Sequence, residues 1–107
     1  MAFDAPQAAD LYYRMAVVLK ADGRRAEAIE MLTKADKLAP TSAKILRSLA
    51  VLAVATGAPK DAIGYYGRLI ELFPDAADID ELRNALRNLR EKTGAAHATS
   101  NPDDDGD

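Results

Sequence analysis

The chain repeats itself at an interval of 34 residues, and no other feature limits its fold so strongly. Gly23 is followed after this interval by Gly57, and Pro40 by Pro74. Small and apolar residues obey the same interval, in the pairs Ala16 and Ala50, Ala28 and Ala62, Met15 and Leu49, Leu32 and Tyr66, Leu38 and Leu72, and Tyr12 and Leu46. A period of roughly 20 to 50 residues is typical of folds that stack one supersecondary unit on the next.

The glycines and prolines divide the chain into five predicted helices. Gly23 and Gly57 separate stretches of helical apolar periodicity, where a tight turn needs a residue that tolerates a positive φ. The prolines end the second helix of each pair, and the paired alanines allow two helices to approach closely. The sequence therefore predicts a helix opened by Asp4 and Pro6 and running to about residue 21, followed by helices at about 24–38, 43–56, 59–72 and 76–92.

The fifth predicted helix has the pattern of a closing element. Ile79, Leu82, Leu86 and Leu89 recur at spacings of three, four and three, which places them on one stripe with charged residues elsewhere. Asp75 precedes this stretch and is the predicted N-cap. A terminal helix with one apolar and one polar face would close a helical stack.

Composition excludes several classes of site and partner. The chain has no cysteine and a single histidine, His97, so neither a disulfide framework nor a zinc centre is expected. No nucleophile, base and orienting group form a recognisable set, so we expect no enzyme, no cofactor and no metal site. Four of the 17 acidic residues lie in the last five positions, which leaves 14 basic and 13 acidic residues in 1–100. Such a nearly neutral body does not favour nucleic-acid binding.

The termini and apolar runs suggest a protein of the cytoplasm. The first residues lack the basic and apolar segments of a secretory signal. The longest apolar run, 49–55, is far shorter than the roughly 20 residues that span a bilayer, so no membrane insertion is expected. The acidic tail, 94–107, is predicted to be disordered and solubilising, and the alternative is that it folds back on Lys44 and Arg47.

The two halves resemble tetratricopeptide repeats, at 9–42 and 43–76, with 77–93 similar to the helix that closes such arrays. The resemblance is carried by Ala26-Glu27-Ala28-Ile29 with Leu32, Ala35 and Pro40, and by Asp61-Ala62-Ile63 with Tyr66 and Pro74. It implies one all-α domain, 1–93, in which antiparallel helix pairs form a right-handed superhelix. The chaperone-tail clamp of some family members needs Lys and Asn where this chain has Tyr13 and Val17, so that function is not expected.

The resemblance also implies a binding groove on the concave face, lined by the first helix of each pair. The positions that match the family's groove are Asp10, Tyr13, Val17 and Lys20 on the first helix, and Lys44, Arg47, Val51 and Val54 on the third. Such a face, part apolar and part basic, fits a partner segment with hydrophobic residues and one or two carboxylates. The alternative is that the valines belong to the core and the cations to an ordinary solvated surface.

Two functional classes follow from this reading. The first is an adaptor or small chaperone that holds a peptide or helix of a partner protein, as compact tetratricopeptide proteins of bacterial secretion systems are thought to do. The second is a self-assembling scaffold, at its simplest a homodimer, because two repeats are fewer than the roughly three that make a stable stack. The predicted surface for self-association lies near Phe3, Tyr12 and Tyr13.

Overall fold

A computed structural model describes residues 4–94, which form five helices joined by short turns. The helices are α1 (Ala5–Ala21), α2 (Arg25–Leu38), α3 (Ala43–Ala55), α4 (Pro59–Leu72) and α5 (Ile79–Thr93). Each helix packs against the next one in the chain, α1 on α2, α2 on α3, α3 on α4 and α4 on α5. The all-helical class and the division into helix pairs are thus confirmed. Residues 95–107 of the predicted tail, which include His97, lie outside the described residues, as does Phe3.

Local signals at the helix starts explain two of the boundaries. The Asp4 carboxylate accepts a hydrogen bond from the Gln7 backbone N–H at 2.9 Å, and the Gln7 side chain accepts one from the Asp4 N–H at 3.2 Å. This reciprocal capping box satisfies donors that a helix start leaves unpaired. Ser42 caps α3 by accepting a hydrogen bond from the Ile45 N–H at 3.4 Å.

The turn within each repeat is made by a glycine in the left-handed region. Gly23 has φ of +79° and Gly57 has φ of +76°. Within residues 4–94, no residue other than glycine has a positive φ. The 34-residue match between these two glycines therefore reflects a shared backbone conformation.

The predicted start of the fifth helix is wrong by three residues. The helix begins at Ile79 rather than near residue 76, and Asp75 does not cap it. The Ala76 N–H bonds to the Phe73 carbonyl and the Ile79 N–H to the Ala76 carbonyl, each at 3.0 Å, so 73–79 is a pair of turns. Asp78 occupies the N-cap position, but its side chain makes no capping bond; it accepts hydrogen bonds from Arg47 instead.

The core runs along the stack in two clusters. The first joins α1, α2 and α3, and the second joins α3, α4 and α5. Ala28 and Ala62 are both fully buried, which agrees with their predicted role at close helix contacts. In α5, Leu82 and Leu86 are buried, and Ile79 packs against the second cluster. The apolar stripe predicted for the closing helix is confirmed.

A charged contact ties the second helices of the two repeats together. Arg68 of α4 donates two hydrogen bonds to the Asp36 carboxylate of α2, at 2.8 and 3.0 Å, and one to the Pro40 carbonyl at 2.9 Å. The contact fixes one repeat against the other on the side that α2 and α4 share. No helix within residues 4–94 is long and apolar enough to cross a membrane.

Candidate protein-binding face

The exposed stripes of α1 and α3 lie side by side and form a surface that we call the α1–α3 face. It contains the eight residues predicted for the groove: Asp10, Tyr13, Val17 and Lys20 from α1, and Lys44, Arg47, Val51 and Val54 from α3. Within each helix these residues recur at spacings of three and four, which keeps them on one stripe. Contacts between the stripes show how they are aligned.

Lys44 connects the two helices at one end of the face. Its Nζ lies 3.5 Å from Asp10 Oδ1 and 4.6 Å from the centroid of the Tyr13 ring. Asp10 is also bound by Arg14 of its own helix, at 2.8 Å. The structure thus brings Asp10, Tyr13 and Lys44 together. Because the Lys44 and Asp10 side chains are 57 and 38% exposed, solvent screens the pair and it contributes little to stability.

Arg47 is occupied by a carboxylate of its own chain. Its guanidinium donates two hydrogen bonds to Asp78, one from Nη2 to Oδ1 at 2.8 Å and one from Nη1 to Oδ2. These bonds raise the pKa of Arg47 and, with the neighbouring positive charge, hold the pKa of Asp78 below its usual range. A carboxylate from a partner would have to displace Asp78 to reach Arg47.

The valines are available to a partner. Val17, Val51 and Val54 are 50, 49 and 48% exposed, so none of them belongs to the buried core. Lys20, at the same end of α1 as Val17, is exposed and makes no ion pair within residues 4–94. The α1–α3 face therefore has two parts, a charged end whose cations are already paired and an apolar end with one unpaired cation.

Sequence reasoning missed the position of Asp78, which lies between α4 and α5 yet completes the charged end of the face. It also missed a shallow depression of about 390 Å³ beside this pair, lined by residues that include Arg47, Leu72, Phe73 and Ala76. The distance along the chain from Arg47 to Asp78 is not the repeat interval, so periodicity offered no signal for the pair. Only the turns at 73–79 place the carboxylate there.

The part of the chain that the structure describes holds no group of three or more acidic or histidine side chains suited to a metal ion. Of the residues predicted for self-association, Tyr12 and Tyr13 are half-buried against the first core cluster, and Phe3 lies outside the described residues. Lys34 also lies over the Tyr12 ring, 5.7 Å from its centroid.

Comparison with known proteins agrees with the helix-pair architecture. A family model described as tetratricopeptide repeat matches residues 19–86, which is more than half of the chain. No curated protein matches the sequence. The matched segment includes α2, α3 and α4 and extends to the middle of α5. The chain belongs to the tetratricopeptide repeat family, a non-catalytic fold whose members are protein–protein interaction modules.

Proposed function

We propose that the protein is an adaptor or small chaperone that holds an apolar segment of a partner protein on the α1–α3 face. The observation that carries this proposal is the exposure of three valines on the stripes of α1 and α3: Val17, Val51 and Val54 are each about half exposed. In the family, this is the concave face. Exposed valines on neighbouring stripes leave apolar area that a partner segment can cover.

The charges of the face define the chemistry of the partner. Lys44 and Arg47 already hold Asp10 and Asp78, so they offer little to a partner carboxylate unless it displaces one of those groups. Lys20 has no such competitor within residues 4–94. The partner segment is therefore mainly hydrophobic, with an acidic residue placed to reach Lys20.

The complex is expected to be weak and to exchange readily. Covering a fully exposed valine contributes roughly 1.5 to 3 kcal/mol, so the remaining halves of three valines contribute on the order of 2 to 4 kcal/mol. Association has to offset the lost freedom of both molecules, which leaves micromolar or weaker affinity unless further contacts form. An adaptor or chaperone that releases its client needs such an affinity.

A peptide-display selection on the purified wild-type protein tests this proposal. We expect the selected peptides to share apolar residues at a regular spacing and to lose at least 10-fold in affinity when Val51 is changed to Asp. Leu38→Asp is the matched control, because Leu38 is 38% exposed on α2, outside the α1–α3 face. Binding unaffected by Val51→Asp, or reduced equally by both variants with circular dichroism unchanged, contradicts the proposal.

Val51→Asp alone tests the α1–α3 face more specifically than a double variant that combines it with Arg47→Glu. Replacing Arg47 by glutamate would remove both hydrogen bonds to Asp78 and set two carboxylates side by side. Such a variant disturbs the turns before α5, so lost binding could follow from altered structure rather than from an altered face.

A further inference from the structure

Helix α5 carries three arginines that lack a close acidic partner. Arg83, Arg87 and Arg90 are exposed, and their spacings of four and three place them on one face of the helix. The Arg90 guanidinium makes no hydrogen bond or ion pair within the part of the chain that the structure describes. Arg87 donates a hydrogen bond to the neutral Asn84 side chain at 2.7 Å, and Arg83 lies 4.0 Å from Asp80, whose side chain is 90% exposed. We call these three arginines the α5 arginine row.

Most of the other arginines are already bound to carboxylates. Arg14, Arg24, Arg47 and Arg68 each have a carboxylate oxygen of the described residues within 2.8 Å. Arg25 is the exception among the five arginines that precede α5. The α5 arginine row therefore differs from the arginines of the repeats, because its positive charge is not neutralised by close contacts.

A shallow depression of about 380 Å³ runs beside the row. It is lined by Ile70 of α4 and by Arg83, Leu86, Arg87, Arg90 and Glu91 of α5. Three positive charges and one negative charge thus surround a surface to which two aliphatic side chains contribute. A chain segment that carries several carboxylates suits this excess of positive charge, because guanidinium groups bind carboxylates with two parallel hydrogen bonds.

We propose that the acidic segment 103–107 of this chain docks on the α5 arginine row. The segment contains Asp103, Asp104, Asp105 and Asp107, and it lies outside the described residues. Its charge is opposite to that of the row, and it belongs to the same chain. The proposal does not depend on partner binding, because it concerns α5 and not the α1–α3 face.

The length of the connecting chain allows this contact. Gly94 is the last described residue and ends α5 with φ of +76°. Arg90 and Arg83 precede it by four and eleven residues, so they lie about 6 and 17 Å back along the helix axis. The nine residues from Gly94 to Asp103 can span up to about 30 Å. The segment can therefore reach the whole row, and its covalent connection gives it an effective concentration on the order of millimolar.

The cations of the α1–α3 face are less available to the segment. Arg47 is bound to Asp78, at the start of α5, and Asp78 lies 16 residues or roughly 24 Å before Gly94. Lys44 lies 3.5 Å from Asp10. Docking there would have to displace a carboxylate of the folded domain, whereas docking on the α5 arginine row displaces none that is held closely.

Two lysines near the end of α5 are also weaker candidates. Lys60 and Asp61 line one depression together with Thr93, so their opposite charges offset each other. Lys92 follows Arg90 by two residues, so it points about 160° away from the row. Neither lysine belongs to a row of cations on its own helix.

The docked state should be weak and sensitive to salt. Single exposed ion pairs contribute little, so docking depends on several pairs acting together. Asp80 and Glu91 stand beside the row and repel the segment, which keeps docking reversible. The Debye length falls from about 30 Å at 0.01 M salt to about 3 Å at 1 M salt. Low salt therefore favours the docked state, and high salt releases it.

A spin label on the acidic segment tests the proposal in the full chain. The chain has no cysteine, so Gly106→Cys provides a single attachment site for a nitroxide. The matched control carries the same label and three further changes, Asp103→Asn, Asp104→Asn and Asp105→Asn. At about 0.01 M salt, the label should enhance the relaxation of the Arg83 and Arg87 amides about threefold or more relative to the control, and at about 1 M salt this difference should vanish. Because both proteins have the same connection, the difference reports on charge alone.

Charge reversal on α5 is the complementary variant. In the labelled chain, Arg87→Glu should lower the enhancement to the level of the Asn control. Arg25→Glu should leave it unchanged, because it alters an exposed arginine of α2 that likewise makes no ion pair within the described residues. Circular dichroism should be the same for both variants. Equal enhancement in the labelled chain and the Asn control overturns the proposal, as do equal effects of the two arginine variants or enhancement centred on Lys20, Lys44 or Lys60.

Discussion

Helices α1 and α3 occupy the same place in successive repeats, yet they differ in how their matching residues are buried. Ala16 and Ala50 are both buried, and Val17 and Val51 are both half exposed. In contrast, Met15 is 49% exposed while Leu49 is 1% exposed. The repeat unit thus determines which residues face its own second helix, and the neighbouring repeat determines the burial of the rest. An apolar residue in a repeat protein contributes to stability only where a neighbour covers it.

Truncating the matched pair Met15 and Leu49 should give the largest difference between the two helices. Leu49→Ala removes a side chain from the packed core and should lower the free energy of unfolding by about 2 to 5 kcal/mol. Met15→Ala removes a half-exposed side chain and should cost less than about 1 kcal/mol. Urea unfolding measures both. Equal losses would show that Met15 is as well covered in solution as Leu49.

The turn glycines, in contrast to Met15 and Leu49, should have the same effect on stability in both repeats. Gly23→Ala and Gly57→Ala each force a side chain into the left-handed region and should cost about 1 to 2 kcal/mol. The two φ values agree within 3°, and an added Cβ meets no atom within 4 Å at either site. Thermal or urea unfolding should therefore give the same loss for both variants. A loss at one site only would mean that the two turns differ in structure.

A smaller effect, of opposite sign, is expected inside α4. Gly64→Ala and Gly67→Ala should each stabilise the fold by about 0.5 to 1 kcal/mol, because alanine favours a helix and an added Cβ meets no atom within 4 Å at either position. The first repeat has Glu30 and Thr33 at the matching positions, so these glycines are particular to α4. A urea midpoint that rises in both variants confirms the expectation. A lower midpoint would show that α4 needs the glycines for packing.

The smallest effect is expected from the ion pair between Arg47 and Asp78. The folded-state pKa of Asp78 is lowered, mainly by the hydrogen bonds from Arg47, so the pair stabilises the fold above the unfolded-state pKa of about 4. That stabilisation is lost as the pH falls through the folded-state pKa. Asp78→Asn should therefore lose slightly in stability at pH 7 and show a weaker decline on acidification below about pH 4.

The unfolding of Asp78→Asn and of the wild type should be followed from pH 7 to pH 2.5. Both partners are 39% exposed, so the difference will be modest and should shrink further in 1 M salt. Identical pH profiles for the two proteins would show that the pair does not persist in solution.

The sequence was sufficient for most of the fold, and particular residues show why. The glycines at 23 and 57, the prolines at 40 and 74 and the cap at Asp4 act through the local backbone, so their consequences can be read from neighbouring residues. The start of α5 could not be read in this way. Asp75 was the predicted cap, but the helix begins three residues later, where Asp78 is bound by Arg47, 31 residues earlier in the chain.

The candidate site was less predictable than the fold. Spacing and family resemblance identified the stripes on α1 and α3, and Lys44 beside Asp10 and Tyr13 shows that they are adjacent. The ion pair of Arg47 with Asp78 depends on the turns at 73–79, and no pattern in the sequence indicated their geometry. The exposure of Leu11, Met15 and Val18 likewise depends on a neighbouring helix that α3 has and α1 lacks. Periodicity indicates which side of a helix is apolar, and it does not indicate whether another helix covers that side.

We expect partner segments to bind on the α1–α3 face, and a two-dimensional ¹H–¹⁵N NMR titration with a peptide from the display selection tests this most directly. The largest shifts should belong to the amides around Val17, Lys20, Val51 and Val54, with those around Leu11 and Leu38 unchanged. Shifts centred on Leu11, Met15 and Val18, or on α2 and α4, would contradict it.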